Sequence, residues 1–103
     1  MYTQDEILEI LKNIGAIKEG HFLYTSGLHG KVYIQCATLL KDPALSARVC
    51  EVIAEHFRPQ KPEVVIGPAI GAINLSYEVA RQLGVPSLFA ERNDEGKLIL
   101  RRS

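Results

Sequence analysis

The chain has 103 residues, with twelve basic and twelve acidic side chains and a net charge of zero, which excludes wholesale wrapping of nucleic acid, a task that needs a strong positive field. A composition 47% hydrophobic and 23% charged is that of an ordinary globule and excludes a disordered tail or a collagen. Surface scaling for this mass predicts roughly 5,800 Å² exposed when folded against about 16,500 Å² unfolded, enough for one modest core. Apolar runs such as Val64–Ile66 and Leu98–Leu100 fall far short of the roughly 20 residues that span a bilayer, so no membrane partner is expected. The opening Met-Tyr-Thr-Gln-Asp-Glu has no basic or apolar leader region, so a cytoplasmic location is expected. Cys36 and Cys50 match no metal spacing and read as reduced thiols, a single disulfide being the alternative.

In chain order, Thr3 and Glu6 form a T-x-x-E capping box. Ile7, Ile10, Leu11 and Ile14 follow on one helical face, and Gly15 offers the left-handed stop. His21–Thr25 and Lys31–Cys36 carry strand formers around Ser26-Gly27-Leu28-His29-Gly30, which predicts a hairpin. Asp42-Pro43 is an N-cap followed by proline at the first helical position. Leu45, Val49, Val52, Ile53 and Phe57 then line one face as far as Pro59 and Pro62. Glu63–Ile66 reads as a short, wholly buried strand. It leads into Gly67-Pro68-Ala69-Ile70-Gly71, then a helix through Ile73, Tyr77, Ala80 and Leu83 that Gly84 closes. Val85–Ala90 is the next strand, which makes a βαβ unit with parallel strands and a right-handed crossover. Glu91–Gly96 is a polar loop, and Lys97–Arg101 is a last apolar strand.

Gly67–Ala72 sits at the carboxyl end of a strand and the amino end of a helix. Open α/β sheets bind ligands there, because free amides and the helix dipole both favour an anion. It is neither a Walker A motif nor a G-x-G-x-x-G fingerprint, and residue chemistry alone leaves an anion cradle and a plain tight turn level. The Ser26–Gly30 segment reads first as an ordinary turn. His21, His29 and His56 are not paired at metal-ligand spacing, and His56 reads as a packed or capping residue. Arg92, Lys97, Arg101 and Arg102 make the C-terminal region basic. No residue set is arranged for covalent catalysis, so no catalytic residue and no metal ligand are assigned.

Four stretches taken together resemble orotate phosphoribosyltransferase, a type I phosphoribosyltransferase of UMP biosynthesis. They are Gly20-His21-Phe22-Leu23-Tyr24-Thr25-Ser26-Gly27-Leu28-His29, Tyr33-Ile34-Gln35, Val65-Ile66-Gly67-Pro68-Ala69-Ile70-Gly71 and Leu88-Phe89-Ala90-Glu91-Arg92. The resemblance implies an α/β fold, a parallel sheet flanked by helices with a small N-terminal hood hairpin. Residues of about 1–40 would form the hood and about 41–103 the βαβ core, one domain incomplete at its C-terminus. It implies transfer of 5-phosphoribosyl from 5-phosphoribosyl 1-diphosphate (PRPP) to orotate, with Mg²⁺, giving orotidine 5′-phosphate and diphosphate.

The resemblance sets Thr25, Ser26, Gly27, Tyr33 and Ile34 against the orotate ring. It sets Gly67, Pro68, Ala69, Ile70, Gly71 and Ala72 at the diphosphate of PRPP. Arg92 matches a basic residue lent to a partner's site, which implies a homodimer with shared active sites. Three positions depart from the common pattern: Thr25 and Gly71 stand where many relatives have lysine, and Asn93 where a loop lysine is common. Lys97, Arg101 or Arg102 is then expected to supply the basic loop charge. No E-D-x-x-T-T-G-like stretch for the ribose 5-phosphate occurs in the 103 residues, so the chain by itself is expected to be inactive. The alternatives are a phosphoribosyltransferase for another nucleobase and a non-catalytic nucleotide-binding regulatory module.

Overall fold

The computed structural model describes residues 1–100; Arg101 and Arg102 lie outside them. Helix α1 (Gln4–Asn13) starts at the Thr3–Glu6 capping box, with both reciprocal bonds made at 3.2 Å. Gly15, just past its end, takes a φ of 79°, the left-handed conformation that glycine reaches without a Cβ penalty. The hood hairpin follows as β1 (Ile17–Leu23) and β2 (His29–Ile34), antiparallel, with a register shift between Glu19 and Phe22. Tyr24 braces it from the turn side by donating its hydroxyl proton to the Val32 carbonyl. An added Cβ at Gly30 would run into the Tyr24 ring, so that glycine makes room for the brace.

Past Ile34 the expected strand stops early, and a short helix α2 (Cys36–Leu40) takes over. Its buried Leu39 gives the segment an apolar anchor. The Leu39 carbonyl accepts the buried Ser46 hydroxyl at 3.0 Å, which pins α2 to the next helix, α3 (Pro43–Phe57). Asp42 caps α3 through Leu45 N–H at 3.1 Å, with Pro43 in the first turn. A 3₁₀ turn, Arg58–Gln60, carries Pro59 and ends the run.

The core is a three-stranded sheet in the order β3 (Val65–Pro68), β4 (Ser87–Arg92), β5 (Leu98–Ile99), with α4 (Ile73–Leu83) between β3 and β4. Strands β3 and β4 are parallel, from Val65 beside Ser87 to Pro68 beside Ala90. Strand β5 returns antiparallel, with Arg92 opposite Leu98. The sheet is therefore mixed, not wholly parallel, because residues 93–97 are far too few for a parallel crossover, which takes a dozen or more. Helix α4 packs on β3 and β4, and α3 packs on α4. Gln82 of α4 donates to the Ala47 carbonyl of α3 at 2.7 Å. Arg81 clasps Glu78 at 2.9 and 2.7 Å and holds its carboxyl below the usual range.

Two burial expectations fail. The β3 strand is not wholly buried: Ile66 is 50% exposed, because α4 covers the face of β3 that carries Val65 and Gly67, and strand alternation turns Ile66 to the other face. Tyr77 is 65% exposed, since the neighbouring Ser76, Val79 and Ala80 face inward in its place.

The core itself is thin, built on Cys50, Ala54 and Val79 with Ile53, Val65, Leu75 and Leu83 against them. The chain exposes 7512 Å², about 1,700 Å² more than a compact chain of this mass. Its radius of gyration is 15.2 Å against about 13 Å for a compact chain of this length.

Both cysteines are free thiols, Cys36 exposed and Cys50 buried. Burial pushes the Cys50 thiol up to about 11 from 9.0, with Glu78 adding to the rise. The unfolded thiol loses its proton first as pH rises, so stability contributed by Cys50 is full below pH 9 and falls between pH 9 and 11. The loss amounts to about 2–3 kcal/mol. Urea midpoints at pH 8 and pH 10.5, compared between the native chain and Cys50→Ala, check it: the alkaline loss is expected to shrink in the variant.

Candidate functional site

The Gly67–Ala72 turn forms where β3 hands over to α4. The Ala69 amide bonds to the Ala90 carbonyl at 2.7 Å, extending the β3–β4 ladder by one rung. The Ala72 and Ile73 amides bond to the Pro68 and Ile70 carbonyls at 3.2 and 3.1 Å, and the Ala69–Ile70 peptide is cis. Ala72 is the N-cap, and no side chain caps the helix. With these three amides occupied, the amides of Ile70, Gly71, Asn74 and Leu75 have no backbone bond among the described residues and are the turn's available donors. Ile70 stands 85% exposed at the tip. The turn can cradle an anion with main-chain N–H groups and the positive end of α4.

Gly67 has a reason that the loop pattern alone did not suggest. A Cβ there would lie 2.8 Å from Ser76 Cβ and 2.9 Å from the Ala72 carbonyl. The glycine thus serves close strand–helix packing. Ser76 is the residue that sequence reasoning missed. Buried on α4, it donates its hydroxyl to the Ala72 carbonyl at 2.8 Å and lies 3.2 Å from the Ile73 carbonyl. It fixes the first turn of the helix on which the loop rests. Its signal in the sequence was a small polar residue on an otherwise apolar helix face.

Arg92 ends β4, two residues beyond the Ala90–Pro68 rung, so it shares the carboxyl end of the parallel pair with the Gly67–Ala72 turn. Its guanidinium donates to the Gly96 carbonyl at 2.7 Å. The following loop is a tight turn organised by Asn93, whose side-chain oxygen accepts from the Glu95 and Lys97 amides, each at 2.9 Å. Asn93 is a turn former there, the role for which a short amide side chain suits and a lysine does not. Lys97 is exposed and lies 3.8 Å from Glu95.

On the hood, Thr25, Ser26 and Gly27 are exposed in the β1–β2 turn. Gly27 holds a φ of 87°, and Ser26 Oγ accepts from Leu28 N–H at 3.4 Å. Tyr33 and Ile34 are exposed on β2; the Tyr33 hydroxyl donates to Gln35 at 2.7 Å, and its ring lies 5.7 Å from that of Phe22. The structure thus brings Gly67–Ala72 together with Arg92, and Thr25–Gly27 with Tyr33 and Ile34 on one hairpin. Among the described residues no hydrogen bond or ion pair joins the two groups.

Beside the turn runs an apolar groove of about 400 Å³, lined by Ile53, Phe57, Val64, Ile66, Leu75 and Leu83 among others. Among the described residues no group of three or more His, Cys, Asp or Glu is placed to hold a metal ion, and no helix is long and apolar enough to cross a membrane.

No family model matches the chain. An orotate phosphoribosyltransferase from Caldicellulosiruptor bescii is 50% identical over 100 residues, covering 97% of this chain and 52% of that protein. Along nearly its whole length the chain is similar to orotate phosphoribosyltransferase. It spans about half the length of the curated relatives it matches. Solved structures place the fold. An orotate phosphoribosyltransferase from Aeropyrum pernix matches with a TM-score of 0.75 at 24% identity, over 91% of this chain and 56% of that one. The UMP synthase of Leishmania donovani matches with a TM-score of 0.81 at 20% identity, over 99% of this chain and 23% of that one. The fold is the one these solved structures share over the matched length.

Proposed function

We propose that the chain supplies one half of an orotate phosphoribosyltransferase, moving 5-phosphoribosyl from PRPP to orotate in pyrimidine biosynthesis. The observation that carries this reading is 50% identity along 97% of the chain to a protein of that name. The Gly67–Ala72 turn at the sheet's carboxyl edge takes the diphosphate. Its remaining amides, with an Arg92 lent by the second subunit of a shared-site dimer, stabilise the negative charge that grows on the departing group. The Thr25–Gly27 turn with Tyr33 and Ile34 holds the orotate ring. Among the described residues no group of three or more acidic, histidine or cysteine side chains is placed to hold Mg²⁺; the ion is proposed to arrive on PRPP, in keeping with its habit of binding through substrate phosphates and water. A homodimer with shared sites and a cytoplasmic location complete the reading, and two free thiols suit that compartment.

The apolar groove is where the remainder of the domain joins. Mixing the chain with PRPP, Mg²⁺ and orotate is expected to give no turnover, and adding the remaining half of the Caldicellulosiruptor relative as a separate chain is expected to restore it. Turnover by the chain alone would sink the half-site reading. Restored transfer to adenine or uracil instead of orotate would sink the choice of base. Restored PRPP binding without transfer favours the regulatory module.

A further inference from the structure

The hood hairpin carries an arrangement that substrate binding does not use. His21 Nε2 and His29 Nδ1 stand 2.9 Å apart, with ring centroids 4.9 Å apart and planes tilted by 45°. The pairing of Leu23 with His29 makes His21, two residues back on β1, the diagonal cross-strand neighbour of His29, close enough for ring contact. Both rings are exposed. The sequence spacing hid this pair, because the hairpin turn alone brings residues eight apart together.

At that separation the two nitrogens are hydrogen-bonded, one donating and the other accepting through its lone pair. The separation is also that of a chelate. Ligand nitrogens 2.0–2.1 Å from a metal and at right angles to each other lie about 2.9 Å apart, whereas tetrahedral ligands lie about 3.4 Å apart. The spacing fits the tetragonal or octahedral geometry of a late first-row divalent ion, with water in the other positions. Conversion swings the two exposed rings and moves the bridging proton to the donor ring's other nitrogen, so that both facing nitrogens offer a lone pair. Glu19 and Lys31 line the same shallow depression as His21, one charge of each sign.

We propose that His21 and His29 form a two-imidazole chelate for a late first-row divalent cation, of which Cu²⁺ binds most tightly, on the flank of the hairpin whose turn bears Thr25–Gly27. Such an ion closes the loop from residue 21 to residue 29 and holds the turn in place.

Titrating the whole chain with Cu²⁺ while recording amide NMR spectra tests this, in a Cys36→Ser background that removes the exposed thiol. One ion per chain is expected, with paramagnetic broadening confined to residues around 20–23 and 28–31. His21→Asn and His29→Asn are each expected to weaken binding at least about tenfold, the loss that removal of even an outer-shell partner brings. Unchanged affinity in either variant, or broadening centred on the N-terminus or His56, overturns the proposal. Should a variant lose the hairpin's cross-strand contacts, the intact chain still decides. Cu²⁺ must protect both rings together from diethyl pyrocarbonate, and protection of one ring or neither overturns it.

Discussion

Replacing Ile66 by aspartate is expected to leave the chain folded while weakening its association with the remaining half of the domain by at least a hundredfold. Ile66 is 50% exposed on the free edge strand and lines the apolar groove, so the isolated chain loses little when the side chain changes. On association the same position leaves water. The variant then forfeits the burial of the isoleucine, about 1–3 kcal/mol, and brings an unpaired carboxylate into an apolar contact, which costs several kcal/mol more. The scale of the contact supports the size of the effect. The excess exposed surface of about 1,700 Å² is twice the roughly 800 Å² that one partner gives to a standard interface. Titration calorimetry between the two halves reads the affinity, and a urea midpoint on the chain alone reads its fold. A variant that associates normally shows that the groove is not the contact.

Gly67→Ala is expected to destabilise the chain by about 1–3 kcal/mol, the usual cost of forcing an atom into a packed site, and Gly71→Ala to cost nothing. The two glycines share one turn, yet a Cβ at Gly71 meets nothing within 4 Å, while at Gly67 it meets Ser76 and the Ala72 carbonyl below 3.0 Å. The carbonyl cannot give way freely, because it accepts both the Ser76 amide at 2.9 Å and the Ser76 hydroxyl at 2.8 Å. Moving it unwinds the first turn of α4 and misplaces the amides that face the anion. Urea unfolding of the two variants side by side makes the check, with a lower midpoint for Gly67→Ala at unchanged slope. In the reassembled enzyme the same variant is expected to raise KM for PRPP. Equal midpoints for the two variants show that the close approach is not a constraint.

Local chemistry was readable where the partners lie within a few residues. The Thr3–Glu6 box, the Asp42-Pro43 start and the Gly84 stop all appear as expected, because capping joins a side chain or a left-handed glycine's amide to backbone three or four residues away. The βα turn at Gly67–Ala72 and its place at a strand's carboxyl end were equally legible from a short apolar run, two glycines and an amphipathic helix. The family motifs lie in these same local stretches, and 50% identity to a relative bears that recognition out. Helix α2 escaped notice because five residues are too few to display a period.

Tertiary packing alone decided the rest. It set the inward face of α4, turned β5 antiparallel, put Gly67 under Ser76 and joined His21 to His29, since each depends on what lies across a strand or helix rather than along the chain. Burial of β3 is the sharpest case. Val64-Val65-Ile66 carries the apolar signature of a central strand, yet such a strand is wholly buried only when it has neighbours in the sheet and cover on both faces. Among residues 1–100 only β4 pairs with β3, and the other edge, with the groove beside it, stays open.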